Sequence, residues 1–391
     1  MRILYPADIR FPLERANGIQ SMETCHALAA RGNDVTLVVR PDTHEPPRDP
    51  FEFYGLSKID NLHVEMAPVT GPAASRRAGY LTFSLGRAAG RGRQDVIFTR
   101  DLGLASLLLR IPRRLRAPLV YESHGIAADT AAALPDLLTG AAAPSPSKLR
   151  RLARRDEHVW RRAEGYVTIT DGLARELSRR FGPRAGLAVV PDGTRAADGN
   201  QTAIAPPPFT IGYSGHLYPW KGAELVVEAV SALTDTRGLI VGGHAGEPDL
   251  ARLKAFAGEL DCATRVEFTG LLPPPAARRR LADAHVLTLP NPSSAISREF
   301  TSPLKLFEYM AARRPIVASD LPSIREVLRD GENALLVEPG NPQAFTAAIR
   351  RIKDDPALSA RLAEKALDDV RHYTWDARAA RIEALLRQVS G

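Results

Sequence analysis

Short apolar runs recur along the chain, each followed by a stretch with helical spacing, and this alternation constrains the fold more than any other feature. It argues for α/β architecture with parallel sheets. In the first half, strands are predicted at residues 2–5, 35–39, 63–66, 96–98, 119–122, 167–169 and 187–190, with helices such as 19–31, 148–164 and 173–180 between them. Residues 194–208 are polar and rich in Ala and Pro, and read as a linker. A second series opens at Thr210-Ile211-Gly212-Tyr213, with strands near 239–241, 266–268, 286–289, 316–318 and 335–337. The tail from Pro342 is helical, and Trp375 precedes a final helix over 377–388. The expectation is two doubly wound domains, residues 1–195 and 209–374, joined by a linker at 196–208 and facing across a cleft. Residues 375–391 are expected to form a helix that crosses back to the first domain. Ligands bind at the carboxyl ends of the strands in such sheets.

The length of 391 residues suits two domains, and 44% apolar with 25% charged residues is the composition of a soluble globular protein. Cys25 and Cys262 are too few and too far apart for a Cys-rich metal cluster, and a disulfide is not expected. The opening Met-Arg-Ile-Leu-Tyr-Pro reads as a strand rather than a signal peptide. The apolar stretch 102–111 is broken by Arg110 and is too short to span a bilayer, so a cytoplasmic location is expected. Residues 1–195 hold 29 basic against 21 acidic residues, and residues 196–391 hold 23 against 24. The excess falls in runs at 76–77, 87–93, 110–116 and 148–162. Such a face fits an anionic membrane, here the inner leaflet, or a phosphorylated substrate, and equally a solvated surface. Nucleic acid is not expected, because no recognition motif or interleaved aromatics accompany the arginines.

Four segments carry candidate chemistry. In Asn17-Gly18-Ile19-Gln20, Gly18 lets backbone approach a ligand near a helix N-terminus, or merely makes a tight turn; no Gly-x-Gly-x-x-Gly stands there. Tyr121-Glu122-Ser123-His124-Gly125 follows an apolar strand, which puts His124 at a strand's carboxyl end, to bond a sugar hydroxyl or to be an ordinary loop histidine. In Tyr213-Ser-Gly-His-Leu-Tyr-Pro-Trp-Lys221-Gly222, Lys221 stands before a helix opened by Gly222. A cation there opposes the helix dipole unless an anion such as phosphate sits between them; the alternative is an ordinary exposed lysine. In Ser302-Pro-Leu-Lys-Leu-Phe-Glu308, Ser302 reads as an N-cap, Pro303 as the first helical residue, and Leu304, Phe307 and Met310 as an apolar face. Lys305 can meet phosphate and Glu308 a diol, a combination that suits a sugar nucleotide; the alternative is an ion pair of Glu308 with Arg313 or Arg314. There is no Asp-x-Asp, no His or Cys cluster at metal spacing, no Gly-x-Ser-x-Gly elbow and no Walker loop.

Taken in order, these segments, with Val190-Pro-Asp-Gly193, Phe268-Thr-Gly270 and its Pro-rich sequel, and Asp330-Gly-Glu-Asn-Ala334, resemble the family 4 glycosyltransferases of the GT-B fold over nearly the whole chain. The resemblance implies two Rossmann-like domains and transfer of a sugar from a nucleotide-diphosphate donor, a UDP-sugar by preference, with retention at the anomeric carbon, no metal and no cofactor. It implies His124, Lys221 and Glu308 as catalytic residues: Glu308 on the donor ribose, Lys221 on the diphosphate, His124 toward the transferred sugar. It implies a donor site of Gly18, Gly215, His216, Lys221, Leu272 (through its backbone, at the base), Glu299, Phe300, Thr301, Ser302, Pro303, Leu304, Lys305 and Glu308. Two departures stand out. The acid usual eight positions before Glu308 is replaced by Phe300, with Glu299 one residue off. The arginine usual after the equivalent of Gly215 is His216, for which Lys305 or Arg298 could compensate.

Two other functions fit the same fold: a sugar-nucleotide epimerase, which needs more acids and bases than Glu308 supplies, and a non-catalytic sugar-nucleotide-binding protein. The acceptor, a lipid-linked or a natural-product hydroxyl, would be met by loops at 11–17, 42–56 and 126–147.

Overall fold

A computed structural model describes residues 1–89, 93–138, 140–196 and 206–391. The expected linker at 196–208 lies for the most part outside them. The chain divides into two compact units: Met1–Ala131, Pro144–Pro191 and Trp375–Gly391 form the first, and Ala132–Ala143 with Asp192–Thr374 form the second. Residues 132–143 and 192–195 thus group with the second unit, whereas the sequence reading counts them in the first domain.

The first unit is built on seven parallel strands: β1 (Arg2–Arg10), β2 (Asp34–Arg40), β3 (Leu62–Met66), β4 (Val96–Thr99), β5 (Leu119–Ser123), β6 (Gly165–Thr168) and β7 (Leu187–Val189). Their order is β3-β2-β1-β4-β5-β6-β7. Ile3 registers with Val35 on one side and Val96 on the other, so the first strand lies at the sheet's centre. β4, β5 and β6 are buried along their whole length, because helices cover both faces and a central parallel strand has no solvent side. The final helix, Trp375–Ser390, packs on helix Ala16–Ala30 and the sheet through Trp375, Ala379, Ile382, Leu385 and Leu386. Arg378 lies on that same buried face.

The second unit repeats the plan with six parallel strands: β8 (Phe209–Ser214), β9 (Thr236–Val241), β10 (Val266–Phe268), β11 (Val286–Leu289), β12 (Ile316–Ser319) and β13 (Leu335–Val337), ordered β10-β9-β8-β11-β12-β13. Tyr213, Val226, Ile240 and Phe345 pack in one core cluster, and Leu287, Leu306, Phe307 and Met310 in another. In both sheets the winding reverses beside the first strand, the point where doubly wound sheets open a crevice. The α/β architecture of two Rossmann-like sheets agrees with the sequence reading. Both cysteines are free and buried. No helix among the described residues is long and apolar enough to cross a membrane.

Candidate functional site

In the second unit, β8 delivers its carboxyl end at Ser214, whose N–H donates to Tyr309 Oη at 2.7 Å. Gly215 follows, and Tyr213 Oη donates to the His216 carbonyl at 2.6 Å, which folds the loop back on the strand. The His216 ring stacks on Tyr218, and its Nδ1 lies 3.6 Å from Glu247 Oε2. Glu247 also accepts from the N–H groups of Leu217 and His244, so this side of the loop is an anchored turn.

Lys221 closes a single 3-10 turn, Pro219–Lys221, and Gly222 ends it in the left-handed region at φ +71°. A Cβ on Gly222 would sit 1.9 Å from the Pro290 carbonyl oxygen, so only glycine lets this loop close over the end of β11. The following helix is Glu224–Ala232; it starts two residues later than the sequence suggested, because Gly222 serves the turn and not the helix. Lys221 Nζ lies 3.5 Å from the Trp220 ring centroid and makes no ion pair among the described residues. Burial pushes its pKa down to about 7.

The helix expected from Ser302 runs from Leu304 to Ala311, with Pro303 as the residue before it and no side-chain cap. Ser302 is not the N-cap: its Oγ accepts the Asp192 N–H at 3.1 Å. Thr301 Oγ1 is likewise spent, donating to the Ile296 carbonyl. Leu304 is buried, and Lys305 in the first turn is only 9% exposed, its Nζ 3.8 Å from the Tyr213 ring centroid and without a hydrogen-bond partner. Burial, then the charge of Lys221, pushes this ammonium far below its ordinary pKa, against a weaker opposing pull from Glu308.

Glu308 lies one turn further on, its Oε1 4.0 Å from Arg278 NH1. Of the two arginines weighed as alternative partners, Arg313 pairs with Glu364, and Arg314 donates to the Ala282 and Ala284 carbonyls. Glu308, Arg278, Arg279, Arg195 and Thr194 line a cavity of about 350 Å³. Glu299 ends the short helix Ala295–Glu299, and Phe300 caps it with a buried ring. Leu272 is partly buried and packs against the core cluster that contains Leu287 and Phe307.

The first unit holds Gly18 and His124. Gly18 sits in the first turn of helix Ala16–Ala30, not in the turn before it. A Cβ there would lie 2.6 Å from the Leu13 carbonyl and 2.7 Å from Tyr54 Oη, so packing alone demands glycine. His124 Nε2 is 2.9 Å from Glu122 Oε1, at the end of β5. The same oxygen accepts from Gln20 Nε2 at 2.8 Å and from Arg378, and Gln20 in turn accepts from Arg100. Glu122 has no exposure. Burial alone would raise its pKa, but Arg378 and His124 override this and hold the carboxyl well below the usual range. Sequence reasoning missed Glu122 as the anchor of His124, and missed Arg378 and Arg278 altogether. Arg378 had one visible signal: it shares the 3–4 spacing of the apolar face of its helix.

Chemically, the second unit offers one half-buried and one buried ammonium group, Lys221 in the loop after β8 and Lys305 at the start of a helix, an arrangement suited to a multivalent anion. Glu308 adds an acceptor for hydroxyls one turn away. The first unit offers a histidine whose orientation is fixed by a carboxylate.

Comparisons with known proteins bear on the family and the fold. Residues 18–193 match a family described as glycosyl transferase 4-like domain, and residues 208–355 match one described as glycosyl transferases group 1. The D-inositol 3-phosphate glycosyltransferase of Streptomyces bingchenggensis is 29% identical over 294 residues, 68% of this chain. The match spans only 60% of that relative's length. Among solved structures, sucrose-phosphate synthase from Thermosynechococcus elongatus superposes with a TM-score of 0.77 at 19% identity, over 99% of this chain and 98% of the other. Anabaena Alr3699/HepE in complex with UDP-glucose gives 0.71 at 19% identity, over 99% and 100%. At these identities the structural likeness is one of fold.

Proposed function

Because the chain belongs to the family 4 glycosyltransferases of the GT-B fold, we propose that it transfers a hexosyl group from a nucleotide-diphosphate sugar to an acceptor hydroxyl, with retention and without a metal. The observation that carries this reading is Lys221, a half-buried lysine in the loop after β8 that makes no ion pair among the described residues. An ammonium so placed gains most when negative charge develops beside it, as on a departing nucleoside diphosphate.

In this reading Lys221 and the N-terminus of helix Leu304–Ala311 hold the diphosphate, with Gly215 and His216 in the adjoining loop. Glu308 accepts hydrogen bonds from the ribose hydroxyls. The backbone at Leu272 meets the base, and Glu299 to Pro303 lie against the sugar or diphosphate. His124, oriented by Glu122, approaches the transferred sugar, and Gly18 lies on the phosphate side of the first unit. The acceptor oxygen attacks the anomeric carbon on the face the phosphate leaves, and a phosphate oxygen takes its proton. Protein cations do the work of a metal, so chelator should leave the rate unchanged. A UDP-sugar is the preferred donor, since Alr3699/HepE was solved with UDP-glucose.

A thermal-shift panel of UDP-, GDP-, ADP- and dTDP-sugars tests the donor. A donor bound only by the folded state raises the melting temperature, by an amount that grows with concentration. Following donor consumption and the anomeric signal of the product by NMR tests transfer and retention. No shift with any nucleotide would remove the reading, and an inverted product would remove retention.

The basic surface is part of the same proposal. Helix Pro146–Arg162 exposes Lys148, Arg150, Arg151, Arg154, Arg161 and Arg162. That face suits a peripheral anionic membrane and a lipid-linked acceptor. Co-sedimentation with phosphatidylglycerol vesicles that is lost at high salt is the expected result.

A further inference from the structure

Lys305 is buried, and no carboxylate among the described residues forms an ion pair with it. Its Nζ rests on the Tyr213 ring, makes no hydrogen bond, and lies 3.9 Å from where a Cβ on Gly215 would stand. Lys221 is close enough for its charge to act on Lys305. The carboxylate with a resolved opposing effect, Glu308, is the weaker influence of the two. A buried ammonium without a partner is costly, and a second one beside it more so. A core position against Tyr213 would be filled at lower cost by leucine or methionine.

The residue that could have supplied the second charge is turned to another task. His216 stacks on Tyr218 with Nδ1 toward Glu247, a carboxylate already fixed by two backbone N–H groups. The loop therefore contributes an imidazole stacked on Tyr218 and turned toward a carboxylate where an always-charged guanidinium would have served an anion.

We infer that Lys305 is the second diphosphate-binding cation of this protein, replacing a loop cation at position 216 with one delivered from the first turn of helix Leu304–Ala311. The inference rests on the nucleotide-sugar reading and makes it more specific: the two phosphates are clamped between Lys221 on the loop and Lys305 on the helix. Delivery from a helix gives Lys305 a fixed backbone, and the Tyr213 ring holds its stem and head without neutralising them. The burial cost of Lys305 in the free protein is recovered when the diphosphate arrives.

The test compares Lys305→Met and Lys305→Gln with the parent by calorimetry, using UDP, UMP and inorganic pyrophosphate. A lost charge-assisted contact lowers affinity by roughly 10- to 100-fold. The expected result is that fold-loss for UDP and pyrophosphate, with UMP affected much less. Lys305→Met should also melt at or above the parent temperature without ligand, since it removes an unpaired buried charge. A purely structural lysine would do the reverse, lowering the melting temperature and leaving the UDP-to-UMP ratio unchanged, and that result overturns the inference. Restoring the loop cation gives an independent arm: adding His216→Arg to Lys305→Met should recover UDP affinity. If the parent binds pyrophosphate through Lys305 but none of the nucleotides of the panel, the donor reading fails while the anion clamp stands. If the parent binds UDP and both Lys305 variants keep that affinity, the clamp fails and the donor reading stands.

Discussion

Desolvation of the Lys221 ammonium pushes its pKa down to about 7 from the ordinary 10.5. Between these values the unfolded chain carries one more proton than the folded one, so stability rises with pH across that interval. Below about 7 both states are charged, and the full cost of burying the cation is present. In urea denaturation, Lys221→Met should be more stable than the parent at pH 6.5, with the gap closing toward pH 9.5; a gap independent of pH would refute the assignment. The same variant should lose most of kcat/KM, since the contact strengthens as the leaving group departs. Glu122 obeys the opposite sign. Its folded pKa is depressed, so its contribution is present above the unfolded value near 4.5 and is lost as pH falls toward the folded one. Glu122→Gln leaves Arg378 buried beside a neutral amide, and breaking such a pair costs about 3–5 kcal/mol. Chemical denaturation at pH 7 measures this, and a change below about 1 kcal/mol would show that Arg378 finds another partner.

Strand positions were readable because both faces of these strands are covered, which leaves near-continuous apolar runs. The strand predicted at 286–289, for example, is β11 residue for residue. Helix starts were less readable, since a cap depends on which donor a side chain finds in three dimensions. Ser302 has the residue type of an N-cap, yet it accepts from the N–H of Asp192, 110 positions away in sequence. Gly222 likewise reads as a helix opener and is instead the left-handed residue that ends the turn carrying Lys221 and packs against Pro290. Gly222→Ala forces a Cβ into the Pro290 carbonyl and a side chain into the left-handed region, a strain of about 1–3 kcal/mol before the clash is counted. The loop must shift and carry Lys221 with it. The expected outcome is a lower melting temperature together with donor affinity reduced at least tenfold. Loss of stability with donor affinity intact would mean that the loop does not position Lys221.

At the scale of the molecule, neither compact unit is one continuous stretch of chain: Trp375–Gly391 belongs with the residues that begin the sequence. That helix brings Arg378 to Glu122 across 256 positions, so removing residues 375–391 should destabilise the first unit and leave His124 without its fixed carboxylate. Proteolysis of the truncated chain should cut first within Met1–Pro191; equal resistance to that of the full chain would contradict this. Cys25 and Cys262 are both buried and free, so a thiol reagent should label neither in the native protein and both in denaturant, and reductant should not move the melting temperature.

The sequence by itself determined the α/β architecture, the two sheets and the family, because these follow from periodic burial and from short segments whose residues are neighbours in the chain. It also drew attention to Lys221, Lys305, Glu308 and His124 by residue type and position. Only the tertiary structure decided their circumstances: that Lys221 is half-buried and Lys305 buried, neither in an ion pair among the described residues, that His216 turns Nδ1 toward Glu247, that Glu308 meets Arg278, and that Glu122 is held by Arg378. Each of these depends on groups distant in sequence coming within a few ångströms, where burial and neighbouring charge set protonation, and periodicity along a chain carries no record of that.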